Sequence, residues 1–162
     1  MSLQFTAPTP LEYFRMLVQS DEQFPLLEAA ASLAQDEYPD MDLQVVLGDV
    51  DQLLARLKRR IPVDAAALQR LRTLNQFFFR DLSFGGNVND YCDPDNSYLN
   101  VVLRTRRGIQ ISLAVLWIEL AQGLGSPPLT AYLEERGRSL ALELDGLQPS
   151  LAALRHLASA MR

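Results

Sequence analysis

Residues 109–123, IQISLAVLWIELAQG, have only Gln110, Ser112, Glu119 and Gln122 as polar side chains. A helix that is apolar nearly all round has to be surrounded by protein or lipid. This run is shorter than the ~18 apolar residues of a membrane span. It therefore predicts the buried central helix of a soluble fold, and the rest of the chain has to supply its cover.

Much of that cover reads as helix. Pro8 and Pro10 open a segment over residues 11–19 in which Leu11, Phe14, Leu17 and Val18 recur at helical spacing. Pro25 suits the first turn of a second helix with Leu26, Leu27, Ala30 and Leu33 on one side. Tyr38, Pro39 and Asp40 break it. A third stripe runs through Leu43, Val46, Leu47, Val50, Leu53, Leu54, Leu57 and Ile61, with Asp40 or Asp42 as its N-cap and Lys58, Arg59 and Arg60 in the last turn. Pro62 ends it. Asp64 is placed to cap a fourth helix bearing Leu68, Leu71, Leu74, Phe77 and Phe78. Phe77, Phe78 and Phe79 cannot all face one side, so at least one ring must meet a different neighbour.

Residues 84–98, FGGNVNDYCDPDNSY, hold two Gly, three Asn, three Asp and one Pro, which marks an ordered polar loop. In it Asp90, Asp93, Asp95 and Asn96 are expected to satisfy backbone donors in turns and to cap a helix starting near Ser97. That helix stops at a basic turn with Gly108 just past its end. Downstream, Ser126, Pro127 and Pro128 break the chain. Leu140, Leu142 and Leu144 alternate as a short strand would, and residues 149–161 carry a last helical stripe.

Composition excludes several functions. Residues 1–60 carry ten acids against five bases and residues 61–162 ten of each, so the net charge of −5 has no basic patch to offset it. Neither nucleic acid nor an anionic membrane is an expected partner. Fourteen of the fifteen bases are Arg, the residue suited to fixed ion pairs. A lone cysteine, Cys92, forms no internal disulfide, and the N-terminus carries no charged-then-apolar signal pattern; both place the chain in the cytoplasm.

Side chains capable of chemistry are few. Asp93, Asp95 and Ser97 have the first three spacings of a calcium loop, but Tyr98 and Arg104 stand where Gly and Glu are needed, so no metal is expected. No nucleotide-binding loop or zinc spacing occurs, and no cofactor is expected. Cys92 has no histidine near it in sequence; the only histidine, His156, sits on the last helix. Ser112 lacks the surroundings of a nucleophile elbow and reads as a first-turn residue. A small-ligand cleft lined by Asn87, Asp90, Asn96 and Arg107 is allowed by spacing.

The stretch FGGNVNDYCDPDNSYLNVVLRTRRGIQISLAVLWIELAQGLG resembles the loop-plus-helix signature of the SirB-type transglutaminase-like family. Gly86, Asn87, Asp90, Tyr91, Asp93, Pro94, Asn96, Ser97, Arg107 and Gly108 carry that likeness, and AAASLAQDEYPDMDLQVVLGDVDQLL resembles the family's lead-in helices. The resemblance implies the helical half of a papain-like α+β fold, mainly α, with at most a small β-hairpin near the C-terminus. Residues 1–125 would be that domain, comprising lead-in helices over 10–80, the loop over 84–98 and the central helix over 109–123. Residues 126–162 would be a divergent segment packing on or extending it.

Active relatives carry a Cys at the start of the central helix. Here the matching position is Gln110, and the family's following Gly-His-Phe strand and Asp-Pro segment are not found after Gly125. The resemblance thus implies no catalytic residue. It favours a non-catalytic protein acting through a protein partner or self-association; a residual cysteine hydrolase or acyl transferase using Cys92 with His156 is the alternative. The end of the likeness at Gly125 fits a divergent segment, or equally a truncated or frameshifted tail.

Overall fold

Thr9 begins the first helix by a reciprocal cap that its spacing from Glu12 allows. The Glu12 amide donates to the Thr9 hydroxyl, and the Glu12 carboxylate accepts from the Thr9 amide, with Pro10 at the first helical position. A computed structural model describes residues 8–19 and 24–125. All fall in the first of two units into which the chain divides, Met1–Ser126 and Pro127–Arg162. Its elements are α1 (Pro10–Leu17), α2 (Leu26–Ser32), α3 (Ala34–Glu37), α4 (Leu43–Lys58) and α5 (Ala67–Asn75). A π-helical turn (Gln76–Asp81), β1 (Gly85–Gly86), a 3-10 turn (Pro94–Ser97), α6 (Leu99–Thr105), β2 (Arg107–Gly108) and α7 (Gln110–Gly123) follow. The described residues are mainly helical. The strand and last helix expected beyond residue 126 lie outside them, as does any hairpin near the C-terminus.

The apolar stripe of α4 folds as its spacing requires. Leu43, Val46, Val50, Leu53 and Leu57 are buried, and Asp42 is the cap, accepting from the Gln44 amide at 2.8 Å. This stripe packs on α2, α6 and α7. Helix α2 departs from expectation: Leu27, Ala29, Ala31 and Ser32 are buried, whereas Leu33 is 52% exposed. Small residues form the contact side because α2 lies against α4 and α7, where alanines permit close approach. At the far end of α7, Gly123 abuts Leu54 so closely that a Cβ would lie 2.3 Å from Leu54 Cδ2.

Three phenylalanines in a row are accommodated by widening the helix. The Leu82 amide reaches back five residues to the Phe77 carbonyl at 2.9 Å, and the extra residue in the turn lets Phe77 and Phe78 both point inward. Phe79 is left 52% exposed, as the divergence of adjacent side chains demands. Each fully buried ring contributes about 1.5–3 kcal/mol relative to exposure. Asp64 is not the cap of this segment; α5 starts two residues later behind Ala66, which offers no side-chain acceptor. Arg70 instead braces the region, donating to the carbonyls of Ala65, Val63 and Leu124, and the last of these ties α5 to the end of α7 at 2.7 Å.

Helix α6 ends without glycine. Arg106, in the left-handed conformation (φ 61°, ψ 18°), is its C-cap, and Gly108 lies two residues further on in β2. Helix α7 also differs from an all-round buried rod. Ser112, Val115, Leu116, Leu120 and Ala121 are buried, while Ile111 is 73% exposed and Ala114 is exposed with it. Near-uniform hydropathy could not distinguish the two sides. No described helix is long and apolar enough to cross a membrane.

Candidate functional site

The polar loop is folded onto the first turn of α7 by backbone pairing. β1 and β2 run parallel, with Gly85 opposite Arg107 and Gly86 opposite Gly108. The Gly85 amide donates to the Arg106 carbonyl at 3.0 Å, and the Asn87 amide donates to the Gly108 carbonyl at 3.3 Å. The close approach needs Gly108 itself, because a Cβ there would lie 2.6 Å from Ser112 Oγ and 3.2 Å from the Asn96 carbonyl oxygen. Arg107 Nη1 donates to the Ser83 carbonyl at 2.6 Å and holds the loop entry, where Ser83 adopts φ 57°.

Asn96 is the centre of the arrangement and is 3% exposed. Its Oδ1 accepts from Asn87 Nδ2 at 3.0 Å, and its Nδ2 donates to the Asp90 carbonyl at 2.8 Å and to the Tyr91 carbonyl at 3.3 Å. Its own carbonyl accepts from Ser112 Oγ at 2.7 Å and from the Ile109 amide at 3.1 Å. One asparagine thus joins the loop to the start of α7. The Asn87 side chain adds a turn by accepting from the Asp90 amide.

The four residues of the expected cleft divide into two groups. Asn87, Asn96 and the Asp90 backbone meet through these bonds, whereas the Arg107 guanidinium turns to the Ser83 and Arg106 carbonyls. Asp93 caps the 3-10 turn by accepting from the Asp95 amide at 2.9 Å, with Pro94 first in the turn and an exposed Ser97 at its end. The expected cap of a helix at Ser97 is therefore the cap of that turn; α6 itself starts at Leu99 behind Tyr98 with no side-chain cap. Gly86 and Asp90 are exposed, and Tyr91 is 61% exposed.

Tyr38 joins this site although its sequence gives no sign of it beyond marking a break. Its hydroxyl donates to Asp95 Oδ1, and its ring meets Tyr98 edge-on at 5.6 Å between centroids. The hydrogen bond to the Asp95 carboxylate, followed by burial, pushes the Tyr38 hydroxyl up to about 12. Ser83 and Arg106 are equally unannounced, since neither is a glycine or asparagine that would advertise a positive φ.

Nucleophile geometry is limited. Ser112 is in the first turn, as expected, and its proton goes to backbone carbonyls. Cys92 is exposed in the loop, and His156 lies outside the described residues. Gln110, first residue of α7, is exposed. Among the described residues no three His, Cys, Asp or Glu side chains cluster as a metal site requires. Across the fold, Glu28, Asp51 and Glu119 line a groove with Phe24 and Leu47, and burial there, with a smaller effect from Asp51, raises the Glu119 pKa.

Comparison with known proteins agrees with this architecture. The family profile described as "Transglutaminase-like superfamily" matches residues 44–129, more than half of the chain. A UPF0162 protein of Xylella fastidiosa (strain Temecula1) is 38% identical over 107 residues, 66% of this chain and 38% of that protein. A UPF0162 protein of Vibrio cholerae is 28% identical over 115 residues, 69% of this chain and 43% of that protein. The F-box only protein 21 of Mus musculus is 39% identical over 59 residues, 36% of this chain and 9% of that protein. The matched stretch spans less than half the length of each relative. No solved structure matches the chain.

Proposed function

The chain belongs to the transglutaminase-like superfamily, and from that premise we propose that it is a non-catalytic, SirB-type member that works through protein contacts, with a protein partner or a second copy of itself. The observation that carries this reading is the first turn of α7. The position matching the nucleophile of active relatives is an exposed amide, Gln110, followed by Ile111 at 73% exposure. A carboxamide cannot attack an acyl carbon, and an exposed isoleucine there suits contact better than chemistry.

The loop adds to that surface. It is joined to the helix start by the Asn87 amide to Gly108 carbonyl bond, and it presents Val88 at 90% and Tyr91 at 61% exposure. Asn87, Asn96 and Asp93 spend their side chains on bonds within the loop, which supports a scaffold role for the motif. The lone cysteine favours the cytoplasm as the compartment.

Two measurements test the reading. Purified full chain, offered thioester and ester donors with an amine acceptor, is expected to give no turnover above buffer. Turnover abolished by Cys92→Ser would instead establish the cysteine hydrolase or acyl transferase. Sedimentation velocity, with and without cell extract, is expected to show an assembly that Ile111→Glu dissolves. A strict monomer that retains no partner would defeat the contact reading.

A further inference from the structure

The groove beside the C-terminal half of α7 carries charge that the described chain does not answer. Glu28 of α2, Asp51 of α4 and Glu119 of α7 line it, with Phe24, Leu26 and Leu47 on its apolar wall. The Tyr13 hydroxyl of α1 donates to Glu28 Oε1, which fixes that carboxylate without offsetting its charge. The one ion pair among the described residues joins Arg60 to Asp81, so none of the three carboxylates has a basic partner there. Two of the three come from residues 1–60, where acids outnumber bases ten to five.

The complement of such a groove is a cation on an apolar stem. Glu119 is half-buried, and burial, followed by the charge of Asp51, raises its pKa. A carboxylate kept partly from water beside a like charge is held at a cost that a cation offsets. The acids do not converge on a point, since no three His, Cys, Asp or Glu side chains among the described residues cluster as a metal site requires. The groove, about 400 Å³ in volume, also lies within the ~300–1,000 Å³ of clefts that hold organic groups. Arginine and lysine carry their charge at the end of a methylene stem that packs on apolar surface, and Phe24, 41% exposed, is an aromatic ring on which a guanidinium can stack.

We propose that this groove docks a basic, amphipathic segment of a partner protein, its arginine side chains set against Glu28, Asp51 and Glu119 and its apolar ones against Phe24, Leu26 and Leu47. Complementary charge selects the partner and fixes its register. Carboxylates supplied by three separate helices suit several bases along one segment, and the apolar wall gives a peptide a hold that a free polyamine lacks. The groove lies about two turns along α7 from Ile111. It therefore adds a partner of stated chemistry without resting on contact at the helix start.

The test is fluorescence anisotropy of a short labelled peptide alternating arginine and leucine, titrated with the full chain at fixed ionic strength. A peptide alternating glutamate and leucine serves as the control. Saturable binding of the basic peptide alone is expected, weakened at least tenfold when Asp51→Asn and Glu119→Gln are combined. It should be unchanged in Ile111→Ser and when Asp40→Asn and Asp90→Asn are combined, which removes two exposed charges outside the groove. Circular dichroism checks folding, which the groove variant should keep because Glu119→Gln relieves a half-buried charge. Spermidine should displace the peptide at least tenfold more weakly than an unlabelled copy does. Absence of saturable binding, full affinity in the Asp51 and Glu119 variant, or an equal loss in either control variant would overturn the proposal. Spermidine competing as well as the peptide would overturn it too, making a small polyamine the occupant.

Discussion

Replacing Asn96 by alanine removes one buried amide that makes three hydrogen bonds, to Asn87 Nδ2 and to the carbonyls of Asp90 and Tyr91. At about 1 kcal/mol net per bond, the loss is about 3 kcal/mol. Two effects act around that figure. Asp90 and Tyr91 are exposed, so water can recover part of their hydrogen bonding, whereas the space left by a side chain only 3% exposed adds a cavity cost. For a chain of this size the melting temperature should fall by about 6–12 °C. Asp93→Ala loses one cap bond and should cost about 1 kcal/mol. Asp90→Ala loses no side-chain bond seen among the described residues and should stay within about 0.5 kcal/mol of the parent. Urea unfolding followed by far-ultraviolet circular dichroism gives all three values. An Asn96→Ala midpoint no lower than that of Asp90→Ala would refute the central role assigned to the amide.

Gly123→Ala drives a methyl group into Leu54 and should destabilise by about 1–3 kcal/mol; Leu54→Ala in that background should recover part of the loss, measured as a coupling energy in a double-mutant cycle. Tyr38 should titrate near 12 and move back toward the ordinary tyrosine range in Asp95→Asn, followed by tyrosinate absorbance with Tyr38→Phe identifying the group. Because the folded pKa is raised, the stability it contributes is present below about pH 10 and is lost as the pH rises from there to about 12. Glu119 is likewise raised by burial, so its contribution is lost as the pH climbs above the ordinary carboxylate range. Glu119→Gln should therefore raise the unfolding free energy from urea titration at pH 7, by less than about 1 kcal/mol for a half-buried group, with no gain near pH 4.

The sequence shows the fold best where a single partner defines a face. Helix α4 has one apolar side and one core to meet, so its spacing emerges as read and Asp42, one of the two candidate caps, is the cap; the helix stops at Lys58, short of Pro62, with Arg56 and Lys58 in its last turn and Arg59 and Arg60 beyond it. Helix α2 is harder because alanine carries little hydropathic contrast. Leu27 is buried and Leu26 packs against the core as read, yet Leu33 is 52% exposed, and Ala29 and Ala31 are buried where α2 meets its neighbours. The π turn is legible only as a conflict. Three adjacent rings cannot share one helix face, and the chain answers by adding a residue to the turn, which no local propensity announces.

The site divides in the same way. Turn-forming Asn and Asp residues reveal an ordered loop, since each can satisfy backbone donors locally; Asn87 and Asp93 do so, whereas Asn96 instead donates to the Asp90 and Tyr91 carbonyls. Which of them is central is a tertiary matter, decided by the approach of Gly108 and Ser112 from the neighbouring segment. Ser83 and Arg106 are invisible for a different reason. Both hold positive φ without the residue type that usually permits it, so their conformations are imposed from outside by the β1 and β2 pairing between them. At Ser83 the Arg107 guanidinium clasps the carbonyl and accounts for the constraint. At Arg106 the gain from stacking on Phe84 is set against a strained backbone, a buried donor without an acceptor and a neighbouring like charge.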